Sequence, residues 1–197
     1  MTQPSVRPAV VSVHSSLSHD FSKPSRSSIR LIANHGVEGD AHAGEHDQHL
    51  FHIKRYGLHP NLRQVHLMHA ELFDALALAG HAVPPGALGE NVRTRGVDLL
   101  ALPARTRLHL GPSAVVELTG LRNPCVQIER YQPGLLARLA ERTEAGVVRK
   151  AGVMSVVLSG GPVSPGDRME IELPSGAFEQ LTYLAPGAGR GNRHVEP

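Results

Sequence analysis

The chain reads as a mainly β, barrel-like domain with a few short helices, and three observations carry that reading. Short apolar or alternating runs recur along its length, each bounded by glycine or proline. Gly 20 and Pro 15 in 197 residues punctuate the chain more densely than a helical bundle tolerates. Only two or three segments carry helical apolar spacing, and no GxGxxG opens a helix. Strands therefore do not alternate with long crossover helices as in a doubly wound dinucleotide fold.

The elements follow in order. Residues 1–7 read as a loose tail. Ala9–Val13 is an apolar run of strand length, and the serine-rich stretch from Ser15 to Ser28 is a loop. Ile29–Ile32 alternates, then Gly36-Val37-Glu38-Gly39-Asp40 makes a turn, and residues 41–62 show little periodicity. Gln64–Met68 predicts a strand. Leu72, Phe73, Leu76 and Ala79 fall on one side of a helix that Gly80 ends. Asn91–Thr94, Arg107–Leu110 and Val115–Thr119 predict strands, and Leu135–Glu141 a short helix after Pro133-Gly134. Val153–Leu158 and the alternating Arg168–Leu173 complete the set. Residues 175–197 are rich in Gly, Ala, Pro and Arg and read as a loosely attached tail, leaving one domain over residues 8–174.

Composition narrows the function. With 41% hydrophobic residues but 4% aromatic and no Trp, the core has to be aliphatic. The net charge is +2, with no run of five like charges and no basic stripe, so nucleic-acid binding is not expected. No apolar run nears the roughly 20 residues of a membrane helix. The absence of a basic-then-apolar leader makes the cytoplasm the default expectation. The single cysteine, Cys125, excludes an intramolecular disulfide and any CxxC-type zinc or iron–sulfur set.

Cys125 is the first candidate. It follows a strand and Pro124, which cannot donate to a ladder and should end it. A helix starting at Pro124 would put Cys125 in its first turn, where free N–H groups and Arg122 favour a thiolate, either nucleophile or soft metal ligand. The opposing reading is a buried, inert cysteine. Histidines are the second candidate: eight of the 13 lie from His35 to His69. His42, His46 and His49 would share a helical face beside Asp40, Glu45 and Asp47, a zinc-binding possibility that Gly44 and the lack of HExxH weaken. His66 reads as site-facing or as a packed core histidine. The acids at glycine turns, Asp40, Glu90 and Asp167, read either as acid–base groups or as pins for their own turns. Arg63, Arg93, Arg95, Arg122 and Arg149 could bind an anion if two or three converge.

The order of these motifs is more specific than any one of them. Lys23 is followed by Gly36-Val37-Glu38-Gly39-Asp40-Ala41-His42, Arg63-Gln64-Val65-His66-Leu67, Gly89-Glu90-Asn91 and Leu110-Gly111-Pro112. Then come Glu117-Leu118-Thr119, Asn123-Pro124-Cys125, Gly152 to Gly161 and Pro165-Gly166-Asp167. Over residues 8–173 this resembles the MOSC domain family, named for the C-terminal domain of molybdenum-cofactor sulfurase, and its small stand-alone bacterial members in particular. The resemblance implies a β-barrel of the pyruvate-kinase-barrel-like type. It implies binding of the molybdenum cofactor, with Cys125 as the molybdenum ligand and reduction of small N-hydroxylated substrates as the activity. Lys23, Arg63 and Arg122 are then expected to hold the pterin phosphate. Glu90, Asn91 and Asn123 are expected to hydrogen-bond the pterin edge, and His66 or Asp40 to deliver protons. Pyridoxal phosphate association rests on the family resemblance only. With no redox group signalled in the chain, an electron-donor protein is the expected partner, and a homodimer is compatible. Three other readings stay open: a carrier of persulfide sulfur or of the cofactor itself, a histidine-site zinc hydrolase, and a structural or adaptor barrel with no bound cofactor.

Overall fold

The computed structural model describes residues 7–48, 53–55, 57–144 and 146–185. Strand outweighs helix throughout, as expected. The main sheet contains β1 (Ala9–His14), β2 (Ser25–Arg26), β5 (Val65–His69), β6 (Val92–Arg95), β7 (Arg107–Leu110), β8 (Ala114–Leu121), β11 (Val153–Ser159) and β13 (Met169–Glu172). Their order is β13-β7-β8-β11-β5-β6-β1-β2. A smaller sheet joins β3 (Ile29–Ile32) to β4 (Gly36–Val37) and β12 (Gly161–Val163). The helices are α1 (Ala70–Leu78), α2 (Val126–Tyr131) and α3 (Leu135–Leu139).

Alternation in sequence becomes two-sidedness in space. Along β8 the residues Ala114, Val116 and Leu118 are buried while Val115, Glu117 and Thr119 are only partly so. The inner faces of β5 to β8, β11 and β13 supply an aliphatic core that includes Val65, Leu67, Val92, Leu108, Leu110, Val116, Leu118 and Val153. Each such side chain contributes about 1.5–3 kcal/mol on burial.

A second apolar cluster covers the opposite face of β5. There Met68 packs with Phe73 and Leu76 of α1, Ile128 of α2, and Leu135 and Leu139 of α3. Strand β5 is therefore buried on both faces. It also makes the sheet's parallel pairing, Leu67 opposite Val92 of β6, with α1 in the connection.

The two ends of the main sheet approach each other without a continuous ladder. One antiparallel bridge joins Ala9 to Arg168. Val10 N–H donates to Asp167 O at 2.9 Å, Gly166 N–H to Val10 O at 2.9 Å, and Met169 N–H to Pro8 O at 3.0 Å. Among the described residues the main sheet curls until one isolated bridge joins β1 to the start of β13, and no continuous ladder closes it into the expected barrel. The strands β1 and β13 touch only near Ala9, where turn 164–167 crosses between them.

Several regions differ from their sequence reading, among them β2 within the expected 15–28 loop and β12, and two differ most. Residues 140–149, left without strands, form a detached hairpin of β9 (Ala140–Thr143) and β10 (Gly146–Arg149). Nearly all its side chains face solvent, so no burial alternation marked it. Within the stretch read as a loose tail, Leu181 and Leu184 are buried, and Gln180 and Tyr183 bridge to Pro103 and Leu121. Residues 186–197 and 1–6 lie outside the described residues.

Candidate functional site

On the helix-covered face of the sheet, Asn91 holds three strands together. Its N–H donates to His66 O at 2.8 Å, its carbonyl accepts from His14 N–H at 2.8 Å, and its Oδ1 accepts from His66 N–H at 3.2 Å. Its amide Nδ2 donates to His14 O at 3.2 Å and to Asp40 Oδ2 at 3.1 Å. Every polar atom of this side chain is spent inside the protein.

Asp40 is likewise enclosed. Lys23 Nζ lies 2.8 Å from its Oδ2 and 3.0 Å from its Oδ1, and the N–H groups of Ser16 and His42 donate to it at 3.3 and 3.0 Å. Burial alone would raise its pKa, but the contact with His42 and the charge of Lys23 outweigh that and hold the carboxyl far below the usual range. Burial in turn lowers Lys23, which Asp40 only partly offsets.

Glu90, fully buried, behaves as the turn pin that glycine-turn acids can be. It accepts from Gly86 N–H at 2.8 Å and Leu88 N–H at 3.2 Å, and Arg93 Nη2 and Nε approach its Oε1 at 2.6 and 3.1 Å. Arg93 also lies over the Phe73 ring, 3.4 Å from its centre. The turn it pins needs glycine: Gly86 has φ +78°, and a Cβ there would stand 2.0 Å from Lys23 O. Lys23 N–H donates to Gly86 O at 2.8 Å, so this turn locates Lys23 as well.

His66 is a packed histidine. Its Nε2–H donates to Ala151 O at 2.8 Å. Burial, reinforced by the nearby charge of Arg122, lowers its pKa well below 6.5 and keeps the ring neutral. His14, which the sequence reading missed, is its counterpart. Its Nδ1–H donates to Glu90 O at 3.0 Å, its Nε2 is buried without a partner, and burial lowers its pKa. A β-bulge between Val10 and Ser12 shifts the alternation of β1, so parity gave no warning that His14 is enclosed.

Cys125 and Arg122 stand apart from these closed contacts. The helix begins at Val126, two residues later than Pro124, and Cys125 is its N-cap with extended φ and ψ. The cysteine is partly exposed and not buried, and its Sγ–H faces Gln127 Oε1 at 3.5 Å. Arg122 is partly buried, with a buried Nη1 that has no hydrogen-bond partner among the described residues. Burial lowers its pKa, while the charges of Cys125 and Glu90 act the other way.

Lys23, Asp40, His66, Glu90, Asn91 and Arg122 thus come together, with Cys125 beside Arg122. Arg63 and Asn123 do not join them. Arg63 is taken by Asp47 at 3.4 Å and by the carbonyl of Leu184. Asn123 is exposed and accepts from Arg149 Nε at 3.1 Å, whose guanidinium lies 4.8 Å from the Tyr183 ring centre. Arg149 was noted in sequence only as one of several arginines. The zinc reading finds no support: residues 41–48 are not helical, His49 lies outside the described residues, and no group of three His, Cys, Asp or Glu among the described residues could hold a metal.

A family model described as "MOSC domain" matches residues 39–170. Among solved structures, the YuaD protein from Bacillus subtilis aligns with TM-score 0.69 and 23% identity, over 85% of this chain and 97% of its own. YiiM from Escherichia coli aligns with TM-score 0.59 and 19% identity, over 88% and 73%. YiiM from Geobacillus stearothermophilus gives TM-score 0.60 and 16% identity, over 87% and 79%. At such identities these likenesses speak for the fold alone. No curated protein matches the chain.

Proposed function

The chain belongs to the MOSC domain family, and from that premise we propose that it binds the molybdenum cofactor at Cys125 and reduces N-hydroxylated compounds with it. The family is linked to binding of this cofactor. The observation that carries the reading here is the buried Arg122 Nη1 with no hydrogen-bond partner among the described residues, on the segment that leads directly to a partly exposed thiol. A soft sulfur donor next to an uncompensated guanidinium suits a ligand that combines a soft metal with an anionic phosphate. Cys125 would hold the metal, and Arg122 the anionic end. When bound, the cofactor supplies the two-electron chemistry that removes oxygen from an N–O bond.

The surrounding residues act by position. Asn91, Asp40 and Lys23 form a rigid polar floor, and Glu90 with Arg93 fixes the adjoining turn. In this reading Asp40 stays ionised beside Lys23 and the His66 Nε2–H donates to Ala151 O, so neither gives a proton to substrate. Conversion of R–NHOH to R–NH2 and water consumes two protons and two electrons. The protons come from solvent at the exposed side of Cys125, and the electrons from a separate donor. Pyridoxal phosphate gains no support.

The test compares wild type with Cys125→Ala, expressed in a host that makes the cofactor. Molybdenum and pterin should co-purify with the wild type and be lost from the variant. Turnover of an N-hydroxylated purine with an artificial reductant should follow the metal. Equal molybdenum in both proteins overturns the reading. Cyanide-labile sulfur on Cys125 without turnover would favour the sulfur-carrier alternative.

A further inference from the structure

The family match ends at residue 170, yet the chain continues past β13 and docks again. Residues 179–184 are tied down at two places. Ala104 N–H donates to Glu179 O at 2.7 Å, and Arg105 Nη2 lies 3.1 Å from Glu179 Oε2. At the end of β8, Leu121 N–H donates to Thr182 O at 2.8 Å and Leu184 N–H to Leu121 O at 3.3 Å. Leu181 enters the main core, and Leu184 packs with Leu62 and Val156. Gly120 is shaped for this contact: a Cβ there would stand 2.9 Å from Thr182 O and 3.0 Å from Leu184 Cβ. Its φ is not positive, so close approach alone calls for glycine.

This strap ends against the segment that carries the thiol. Its Tyr183 ring lies 4.8 Å from the Arg149 guanidinium. The same guanidinium donates from Nε to Asn123 Oδ1 at 3.1 Å and from Nη1 to Val147 O at 3.2 Å. A long, flexible side chain is thereby held by a ring, a backbone carbonyl and a carboxamide. On the other side of Asn123, Arg122 N–H donates to Gly152 O at 3.0 Å. Between Asn123 and Cys125 stands Pro124, which fixes its own φ and keeps the residue before it extended. An anchor on Asn123 is therefore transmitted to Cys125 through a stiff link. Cys125 itself is the N-cap of α2 and makes no side-chain cap hydrogen bond.

We propose that Asn123, Arg149 and Tyr183 are positioning residues for Cys125, with the strap 179–184 as the fixed end of the chain of contacts. The role deepens the proposed function and rests on its reading of Cys125 as the metal-binding thiol. A ligand on a loop between a strand and a two-turn helix needs outside support to be presented in one geometry. The 140–149 hairpin supplies Arg149, and the strap supplies the aromatic surface against which Arg149 is set. Two segments without strong sequence patterns thus acquire a common purpose at the site.

Because Cys125 is the sole cysteine, alkylation of the full chain by iodoacetamide, followed by intact mass, reports this one sulfur without any cofactor. At fixed pH, Tyr183→Ala, Arg149→Met and Asn123→Ala should each speed alkylation at least about threefold by loosening the loop locally. Thermal midpoints should stay within about 3 °C of wild type. Tyr183→Phe keeps the ring, and Asn123→Asp keeps the acceptor, so both should react at the wild-type rate. Gly120→Ala, which pushes the strap off β8, should act like Tyr183→Ala; should it fail to fold, the exposed Tyr183 and Asn123 changes decide. In a host that makes the cofactor, the three loosened variants should retain less molybdenum than wild type. The proposal fails if the three variants are alkylated at the wild-type rate, or if Tyr183→Phe reacts as fast as Tyr183→Ala. It fails equally if faster alkylation comes only with a matching fall in thermal midpoint. A wild type without molybdenum would sink the proposed function, while the alkylation rates would still decide the positioning role.

Discussion

Two groups of charges sit a few residues apart in this protein and are treated in opposite ways. Lys23–Asp40 and Arg93–Glu90 are buried as pairs, and the hydrogen bonds of both carboxylates are met inside the chain. Arg122 is drawn into the same region with Glu90 acting on its charge but with a buried Nη1 that has no hydrogen-bond partner among the described residues, and the thiol of Cys125 is partly exposed. The closed pairs hold the fold's geometry at this point. The open pair has spare binding capacity, which costs stability in the free protein and is recovered when an anion arrives. Functional capacity in this region is marked by what is left unsatisfied.

Breaking a closed pair should have the largest effect. Glu90→Ala strands Arg93 and two N–H groups, and should cost about 3–5 kcal/mol in denaturant unfolding; a loss under 1 kcal/mol would mean that the pair is not closed. Gly86→Ala forces a side chain onto Lys23 O at positive φ. The left-handed backbone alone costs about 1–2 kcal/mol, and the clash adds to it, so the midpoint should fall clearly.

The pH dependence comes next. His14, His66 and His69 all have pKa values below 6.5 in the fold. The unfolded chain therefore takes up protons first as pH drops, and stability present above about 6.5 is lost below it. Thermal midpoints should decline from pH 7 to pH 5, and His66→Gln should flatten that decline. Asp40 acts further down the scale: its depressed pKa stabilises the fold above the ordinary carboxylate value and is lost as pH falls through it.

The open pair should respond least. Arg122→Met removes an unpartnered charge and should leave stability within about 1 kcal/mol or raise it, while molybdenum retention falls. A loss as large as that of Glu90→Ala would reveal a protein partner for Arg122 and erase the contrast. Cys125→Ser should change stability by about 0.5 kcal/mol or less, with the metal lost.

Much of the frame was legible in the residues. Alternation at Val115–Thr119, the apolar run at Val153–Leu158 and the helical spacing through Leu72, Phe73 and Leu76 each report a local periodicity that burial then selects. Detached elements were not legible. The 140–149 hairpin buries too little for a pattern, and the docked residues 179–184 look like a tail because only Leu181 and Leu184 turn inward. At the site, residue types were read better than roles. Asp40 and His66 were expected to move protons; the structure shows Asp40 paired with Lys23 and bonded by His42 N–H, and the His66 ring bonded to Ala151 O. Arg63 was expected with Arg122, but Asp47 and Leu184 draw it away.

Local periodicity and the glycine turns were enough to set a mainly β domain with Cys125 after the end of a strand, and the order of motifs carried its resemblance to the MOSC family, because each depends on neighbours in sequence. Which charges are cancelled and which are left open was decided by tertiary structure. That outcome depends on distances between Lys23, Asp40, Glu90 and Arg122, groups that only folding brings together, and Coulomb and desolvation energies are functions of those distances and of burial.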